Sequence, residues 1–143
     1  MTAINKTQGY DVIGDIHGHA KELWARLEKL GYQLDGSCYR QECRQVLFLG
    51  DFVDRGAYQR EVVDTVMAMC QGGSARAVMG NHEFNALAFH TEYPAGSGKW
   101  LRPRTDKNTR QHRAFLEAYE DDPAAKKQAL DWFMTLPLWL ELN

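Results

Sequence analysis

The chain has 143 residues, of which 44% are hydrophobic and 25% charged, and its formal net charge is −2. This length and composition fit a single domain, residues 1–143, with a buried core, and no global basic field favours nucleic acid as a partner. No apolar run is long enough to span a membrane, the polar segment 1–9 lacks the apolar core of a signal peptide, and three unpatterned cysteines suit a cytoplasmic location.

The first ninety residues predict three successive strand-loop-helix units. Each apolar run is followed by a glycine-containing turn and then by a helical pattern. The predicted strands are 10–13, 46–49 and 75–79, and the predicted helices are 20–30, 60–70 and 82–89. A loop or small hairpin is expected over 32–44. Helical crossovers imply parallel strands, so the turns after the strands should meet at one edge of the sheet.

The second part of the chain predicts a long loop, two helices and a final strand. The loop 91–108 is rich in Pro, Gly and basic residues, and it is either solvated or captures an anionic substrate. Helices are expected over 111–119 and 123–136, and a strand over 138–143, with Trp139 in the core. His90 is expected to act as a cation at a helix end, and His112 is not expected to be a ligand.

Three motifs follow the three predicted strands: GDIHG at 14–18, GDFVDRG at 50–56 and GNHE at 80–83. On an extended backbone, Asp15 and His17 point to the same side and can reach one ion. The Asp51 carboxylate has two oxygens and could bridge two metals, and Asn81 offers a neutral oxygen. Such oxygen and nitrogen ligands suit divalent cations.

The same motifs supply groups for phosphate chemistry. Arg55 suits bidentate phosphate binding. His82 could donate a proton to a leaving oxygen, with Asp54 accepting the other ring proton. Taken singly, each motif also has an ordinary structural interpretation as a turn, an ion pair or, for Asn81, a helix cap. Glu83 is expected to support the helix start rather than to act in catalysis.

Together, the three motifs resemble the signature blocks of calcineurin-like metallophosphoesterases, and the complete second block resembles their phosphoprotein-phosphatase branch. Bacterial serine/threonine phosphatases and diadenosine tetraphosphatases are near relatives in that branch. The resemblance is close over residues 10–90. It implies an α/β fold in which this chain forms the N-terminal part of an α/β/β/α sandwich, with a mostly parallel sheet and flanking helices.

The resemblance also implies two divalent metal ions, with Mn²⁺ preferred and Fe or Zn²⁺ compatible. It assigns Asp15 and His17 to the first metal, Asp51 to the bridge and Asn81 to the second metal. The family carries further histidine ligands and a second phosphate-binding arginine on later strands, and this sequence lacks them. We therefore expect the chain to be the N-terminal half of such a domain.

For the remaining motif residues, the resemblance makes Arg55 the phosphate-binding arginine, His82 the general acid and Asp54 its carboxylate partner. The expected reaction is hydrolysis of a phosphomonoester by a water activated between two metals. A phosphoprotein-phosphatase-like substrate is favoured, because the symmetrical tetraphosphatases usually lack an acid at the position of Asp54. The alternatives are a non-catalytic metal- or phosphate-binding fragment, and a phosphatase acting on nucleotides, dinucleoside polyphosphates or nucleic-acid ends.

Overall fold

The computed structural model describes residues 7–142. Its elements follow in chain order as β1 (Gly9–Ile13), α1 (Ala20–Lys29), β2 (Gln33–Asp35), β3 (Cys38–Arg40), β4 (Arg44–Phe48), α2 (Gln59–Gln71), β5 (Ala75–Ala77), α3 (Asn81–Phe89), α4 (Asp106–Gln111), α5 (Arg113–Ala118) and α6 (Pro123–Thr135). Residues 1–6 lie outside the described residues, and they make up most of the polar segment 1–9 in which the sequence shows no apolar signal-peptide core. The terminal Asn143, the last residue of the predicted strand over 138–143, also lies outside them.

The central sheet contains three parallel strands in the order β1-β4-β5. Its register places Ile13 beside Phe48, and Phe48 beside Ala77. Because the strands are parallel and joined through α1 and α2, the segments that follow all three emerge at one edge of the sheet. The predicted α/β class and mostly parallel sheet are therefore confirmed. The predicted hairpin is also present, since β2 and β3 pair antiparallel.

The core lies between the sheet and its helices. Val46 and Phe48 of β4 are fully buried. The inner face of α2 buries Val62, Val63 and Val66, whose spacing brings them to one side of the helix. Burying side chains of this size contributes about 1.5–3 kcal/mol each relative to exposure, so the packing of α2 against β5, the strand beside β4, holds this part of the sheet in place.

Two predictions for the later part of the chain are wrong. The predicted strand over 138–143 does not form within residues 138–142, and Trp139 is 70% exposed rather than part of the core. The predicted loop over 91–108 is too long, because α4 begins at Asp106 and the loop ends at Thr105. The helix predicted over 111–119 is present as the shorter α5, which begins after His112 leaves the helical conformation at φ −100° and ψ 5°. Within residues 7–142, no helix has both the length and the apolar character needed to cross a membrane.

Candidate active site

The loops after β1 and β4 are joined by backbone hydrogen bonds. The amide of His17 donates to the Asp51 carbonyl at 2.9 Å, and the amide of Gly18 donates to the Phe52 carbonyl at 2.9 Å. In return, the amide of Gly56 donates to the His17 carbonyl at 2.8 Å. These bonds fix the first two motifs relative to each other before any side chain is considered.

The same two loops contain a group of left-handed backbone conformations at non-glycine residues. Within residues 7–142, the five non-glycine residues with positive φ all lie in these motifs: Asp15, His17, Asp51, Asp54 and Arg55, at 44–72°. Each such conformation costs roughly 1–3 kcal/mol and persists only where its surroundings enforce it. Strain of this kind concentrates at functional sites, which singles out this edge of the sheet.

The side chains of Asp15, His17 and Asp51 converge, with one ligand atom from each lying within 4.8 Å of the others. The Nδ1 atom of His17 lies 2.8 Å from the Val53 carbonyl oxygen and therefore donates to it. In the neutral ring, Nε2 then carries the lone pair. Two carboxylates and an oriented imidazole are a donor set that fits a divalent cation.

Asn81 joins this group through Asp51. Its side-chain amide lies 3.2 and 3.3 Å from the two Asp51 carboxylate oxygens. With its nitrogen turned inward, the amide donates to Asp51, and with its oxygen inward, it presents a further cation ligand beside the carboxylate. The expected alternative for Asn81, a helix cap, is wrong because Gly80 is the N-cap of α3 and Asn81 is its first residue.

Glycine is required where the second and third motifs touch. Gly50 has a φ of +85°, and a Cβ atom there would overlap the backbone of Gly80. A Cβ atom on Gly80 would in turn overlap Asp51. The absence of side chains at these positions lets the two loops approach closely enough for Asn81 to reach Asp51.

Glu83, near the start of α3, stabilises the backbone of the second and third motifs, in agreement with the supporting role expected for it. Its side chain is fully buried and accepts three backbone hydrogen bonds, from Asp51 at 2.7 Å, Phe52 at 2.9 Å and Gly80 at 3.1 Å. Burial raises the pKa of this carboxyl, although the backbone donors counteract the increase. Glu83 thereby links the second motif to the third.

His82 lies beside the metal-ligand cluster and is oriented by Asp54. The rings of His17 and His82 meet edge to face at 4.6 Å between centroids. Asp54 Oδ2 accepts a hydrogen bond from His82 Nδ1 at 2.7 Å, as the resemblance implies for these two residues. The other ring nitrogen of His82, Nε2, is therefore not engaged by Asp54.

The histidine-carboxylate pair continues into two further histidines that sequence reasoning missed. Asp54 Oδ1 accepts a hydrogen bond from Nδ1 of the buried His112 at 2.7 Å, and His112 Nε2 lies 3.1 Å from His90 Nε2. Burial alone would raise the pKa of Asp54, but the hydrogen bonds from His112 and His82 lower it below its usual value. No pattern in the polar stretch around His112 indicates this contact.

The expectation that His90 is a cation is wrong. Burial, with smaller contributions from the charges of His112, Lys126 and Arg104, lowers its pKa to about 4. At neutral pH, the pair formed by His90 and His112 therefore shares a hydrogen bond without a charge on His90.

Gln59 is a second buried residue that the sequence did not single out. Its Oε1 accepts from the Asp54 amide at 2.7 Å, and its Nε2 donates to the carbonyls of Asp54 at 3.1 Å and Gly56 at 2.8 Å. These bonds hold the left-handed turn that carries Asp54 and Arg55, so Gln59 shapes the second motif from within α2.

An open cleft of about 580 Å³ lies next to this group of side chains. Arg55, Asn81 and His82 from the motifs line one part of it, and Arg110 and Arg113 from α4 and α5 line another. A volume of this size is in the range of small-molecule sites, and its cationic lining suits an anionic ligand.

The fold and the site together define a class of protein: an α/β protein with a carboxylate, imidazole and amide cluster at the carboxyl edge of a parallel sheet. Residues 10–140 match the family model described as calcineurin-like phosphoesterase. The chain belongs to this family, which confirms the resemblance found in the motifs, and family members are hydrolases that use divalent metals.

Curated relatives carry a more specific name. The chain is 40% identical over 134 residues to a bis(5'-nucleosyl)-tetraphosphatase PrpE, described as asymmetrical, from Oceanobacillus iheyensis, covering 93% of this chain and 51% of the relative. The protein of the same name from Anoxybacillus flavithermus is 32% identical over 123 residues, covering 80% and 50%. The chain thus spans about half the length of these relatives.

Solved structures support the fold. A serine/threonine phosphatase from Saccharomyces cerevisiae, similar to human PP5, has a TM-score of 0.56 at 20% identity and covers 90% of this chain and 33% of its own. A structure described as a putative diadenosine tetraphosphatase has a TM-score of 0.53 at 18% identity, covering 93% and 47%.

Proposed function

We propose that residues 1–143 belong to one domain of a metal-dependent phosphohydrolase that cleaves the polyphosphate chain of dinucleoside tetraphosphates. The observation that carries this proposal is the position of the Asp15, His17 and Asp51 cluster, which adjoins His82, while His82 itself lines a cleft that also contains several arginines. The names of the curated relatives favour this substrate over the phosphomonoester expected from the motifs alone.

We assign the metal-ligand roles to Asp15, His17, Asp51 and Asn81, for two divalent cations with Mn²⁺ preferred and Fe or Zn²⁺ compatible. Cations bound there would supply Lewis-acid polarisation of a phosphoryl oxygen. The hydrogen bond from His17 to the Val53 carbonyl and the backbone bonds of Glu83 would keep these ligands in place.

Arg55 is proposed to bind the phosphoryl group that is attacked, since its side chain is exposed in the cleft beside His82. His82 is proposed to hold a proton on Nε2 for the leaving oxygen. Asp54 fixes the ring orientation by accepting the hydrogen bond from Nδ1. Because Asp54 also binds His112, its carboxylate cannot turn away from His82 without breaking a second buried bond.

The test compares hydrolysis of diadenosine tetraphosphate with hydrolysis of an aryl phosphate, with Mn²⁺ present. We expect kcat/KM to be at least about tenfold higher for the dinucleotide, a difference of about 1.4 kcal/mol in transition-state stabilisation. Unequal nucleotide products are expected, and a chelator should abolish turnover. The Asp51→Asn variant should be inactive, whereas Asp131→Asn, which removes an exposed acid paired with Lys127, should retain activity.

Two outcomes would overturn the proposal in different ways. A preference for the aryl phosphate would favour the phosphomonoesterase expected from the motifs. Tight binding of Mn²⁺ by this chain without turnover of either substrate would favour a metal-binding fragment that needs further ligands.

A further inference from the structure

The junction of α4 and α5 brings two arginines to the cleft beside His82. Arg110 lies in the last turn of α4, and Arg113 is the first residue of α5. Both line the cleft that Arg55, Asn81 and His82 also line, although they are more than fifty residues from Arg55 in the sequence. The cleft therefore contains more cationic groups than the three motifs supply.

His112 fixes this junction to the active site. Its ring is 5% exposed, stacks on Phe115 at 4.6 Å between centroids, and bonds to Asp54 at 2.7 Å. Asp54 binds His82 through its other oxygen. The position of Arg110 and Arg113 is thus set relative to His82 by a buried chain of contacts rather than by a mobile loop.

The arginines of the cleft are available to a ligand. Between residues 7 and 142, the ion pairs formed by arginine use Arg40, Arg44 and Arg60. Arg55, Arg110 and Arg113 share the cleft with one carboxylate, Glu117, and form no ion pair with it. The cleft consequently has a positive balance of charge in a concave, partly enclosed surface, where attraction for an anion is strongest.

The basic loop 91–105, by contrast, uses its arginines within the protein. The Arg104 guanidinium lies 3.4 Å from the centre of the Trp100 ring and donates to the Phe89 carbonyl at 3.1 Å. Arg102 donates to the Gln111 side chain at 3.1 Å. These contacts attach the loop to α3 and α4. The better candidates for binding an anion are therefore the arginines of the α4–α5 junction, and not those of the loop.

We propose that Arg110 and Arg113 form a second phosphate subsite, which binds the phosphates next to the one that is attacked. Guanidinium groups bind phosphate oxygens in pairs of charge-assisted hydrogen bonds. A polyphosphate chain that reaches both Arg55 and this subsite gains contacts that a monoester cannot make. The subsite would therefore select polyphosphate substrates, and in this respect the inference rests on the proposed function.

The experiment measures the binding of inorganic tripolyphosphate and of orthophosphate to the metal-free chain by titration calorimetry. We expect tripolyphosphate to bind at least about tenfold more tightly than orthophosphate. Arg110→Gln and Arg113→Gln should each weaken tripolyphosphate binding about tenfold and change orthophosphate binding less than about twofold. Lys107→Gln removes an equal charge from the same helix outside the cleft lining and should change neither.

Both arginines are exposed, so we expect the variants to fold, and thermal unfolding checks this. Arg110→Lys is a second variant, which keeps the charge but loses bidentate binding. Wild-type affinity for tripolyphosphate in both glutamine variants, or an equal loss in Lys107→Gln, would overturn the subsite. Selective loss in the variants together with no hydrolysis of diadenosine tetraphosphate would refute the proposed function and leave the subsite standing. Unchanged tripolyphosphate binding in both variants, together with unaffected hydrolysis of diadenosine tetraphosphate, would refute the subsite and leave the proposed function standing.

Discussion

His90 is a half-buried, neutral histidine whose titration should appear in the pH dependence of stability. Its pKa falls from 6.5 to about 4, chiefly through burial. Below pH 6.5, the unfolded chain takes up a proton that the folded protein does not take up until about pH 4. The contribution of neutral His90 to stability is therefore complete above pH 6.5 and is lost as the pH falls towards 4.

We expect His90 to account for a decrease of about 1–2 kcal/mol in the free energy of unfolding across this interval, after allowance for solvent screening. Urea unfolding at pH 7 and pH 4.5 measures it, and His90→Gln should show a correspondingly smaller decrease. His19→Gln changes an exposed histidine and should follow the wild type. Parallel pH profiles for His90→Gln and the wild type would contradict the assignment.

Glu83 combines complete burial with three backbone donors, so it should be sensitive to a minimal change. In Glu83→Gln, one oxygen becomes an NH₂ group that faces a backbone N–H. We expect the free energy of unfolding to fall by about 1–3 kcal/mol, the cost of a buried donor left without an acceptor. Glu61→Gln, at an exposed position of α2, serves as the control in the same urea titration. An equal effect of both changes would show that the buried bonds contribute little.

At the scale of elements, α4 is short and depends on its cap. The Thr105 hydroxyl accepts a hydrogen bond from the Asn108 amide at 3.1 Å. Thr105→Ala should destabilise this helix by about 1 kcal/mol, which corresponds to roughly fivefold faster amide hydrogen exchange over 106–111. Thr105→Asp restores a capping oxygen and should restore protection. Thr91→Ala, which removes a hydroxyl bonded to the Leu87 carbonyl of α3, should leave α4 unaffected.

The elements show why part of the site could be predicted from the sequence. Asp15, Asp51 and Asn81 follow strands or open a helix in a repeated pattern, and parallel strands joined by helices bring such positions to one edge. The contact between His112 and Asp54 spans 58 residues and connects a short helix junction to a turn. It depends on tertiary packing that leaves no periodic signal in the sequence.

The segment 138–142 shows the opposite case, in which a sequence pattern predicts an element that does not form. Its alternating leucines match the period of a strand, but within the described residues it joins no ladder, and only the Pro137 carbonyl just before it accepts a sheet-side hydrogen bond, from Met79 at 2.8 Å. Strand propensity is realised only where a neighbouring strand offers donors and acceptors. Leu138 and Trp139 are accordingly exposed, which a pattern of local hydrophobicity could not indicate.

At the scale of the whole molecule, the packed sheet and helices hold a strained, negatively charged edge in place. Three of the left-handed residues are also the members of the Asp15, His17 and Asp51 cluster. Two carboxylates confined to this cluster repel each other unless a cation lies between them. The stability of the whole fold should therefore depend on divalent metal.

We expect Mn²⁺ to raise the free energy of unfolding, by about 2.7 kcal/mol at a free concentration 100 times its dissociation constant, because binding to the folded state alone shifts the equilibrium by mass action. Thermal or urea unfolding with Mn²⁺, and with a chelator, measures the difference. Asp51→Asn should lose most of this increase. The metal-free stability of the variant should stay the same or rise, because Asn keeps an oxygen for the His82 amide and removes a repelling charge. Asp131→Asn should retain the full increase. An increase of equal size in Asp51→Asn would place the metal elsewhere on the protein.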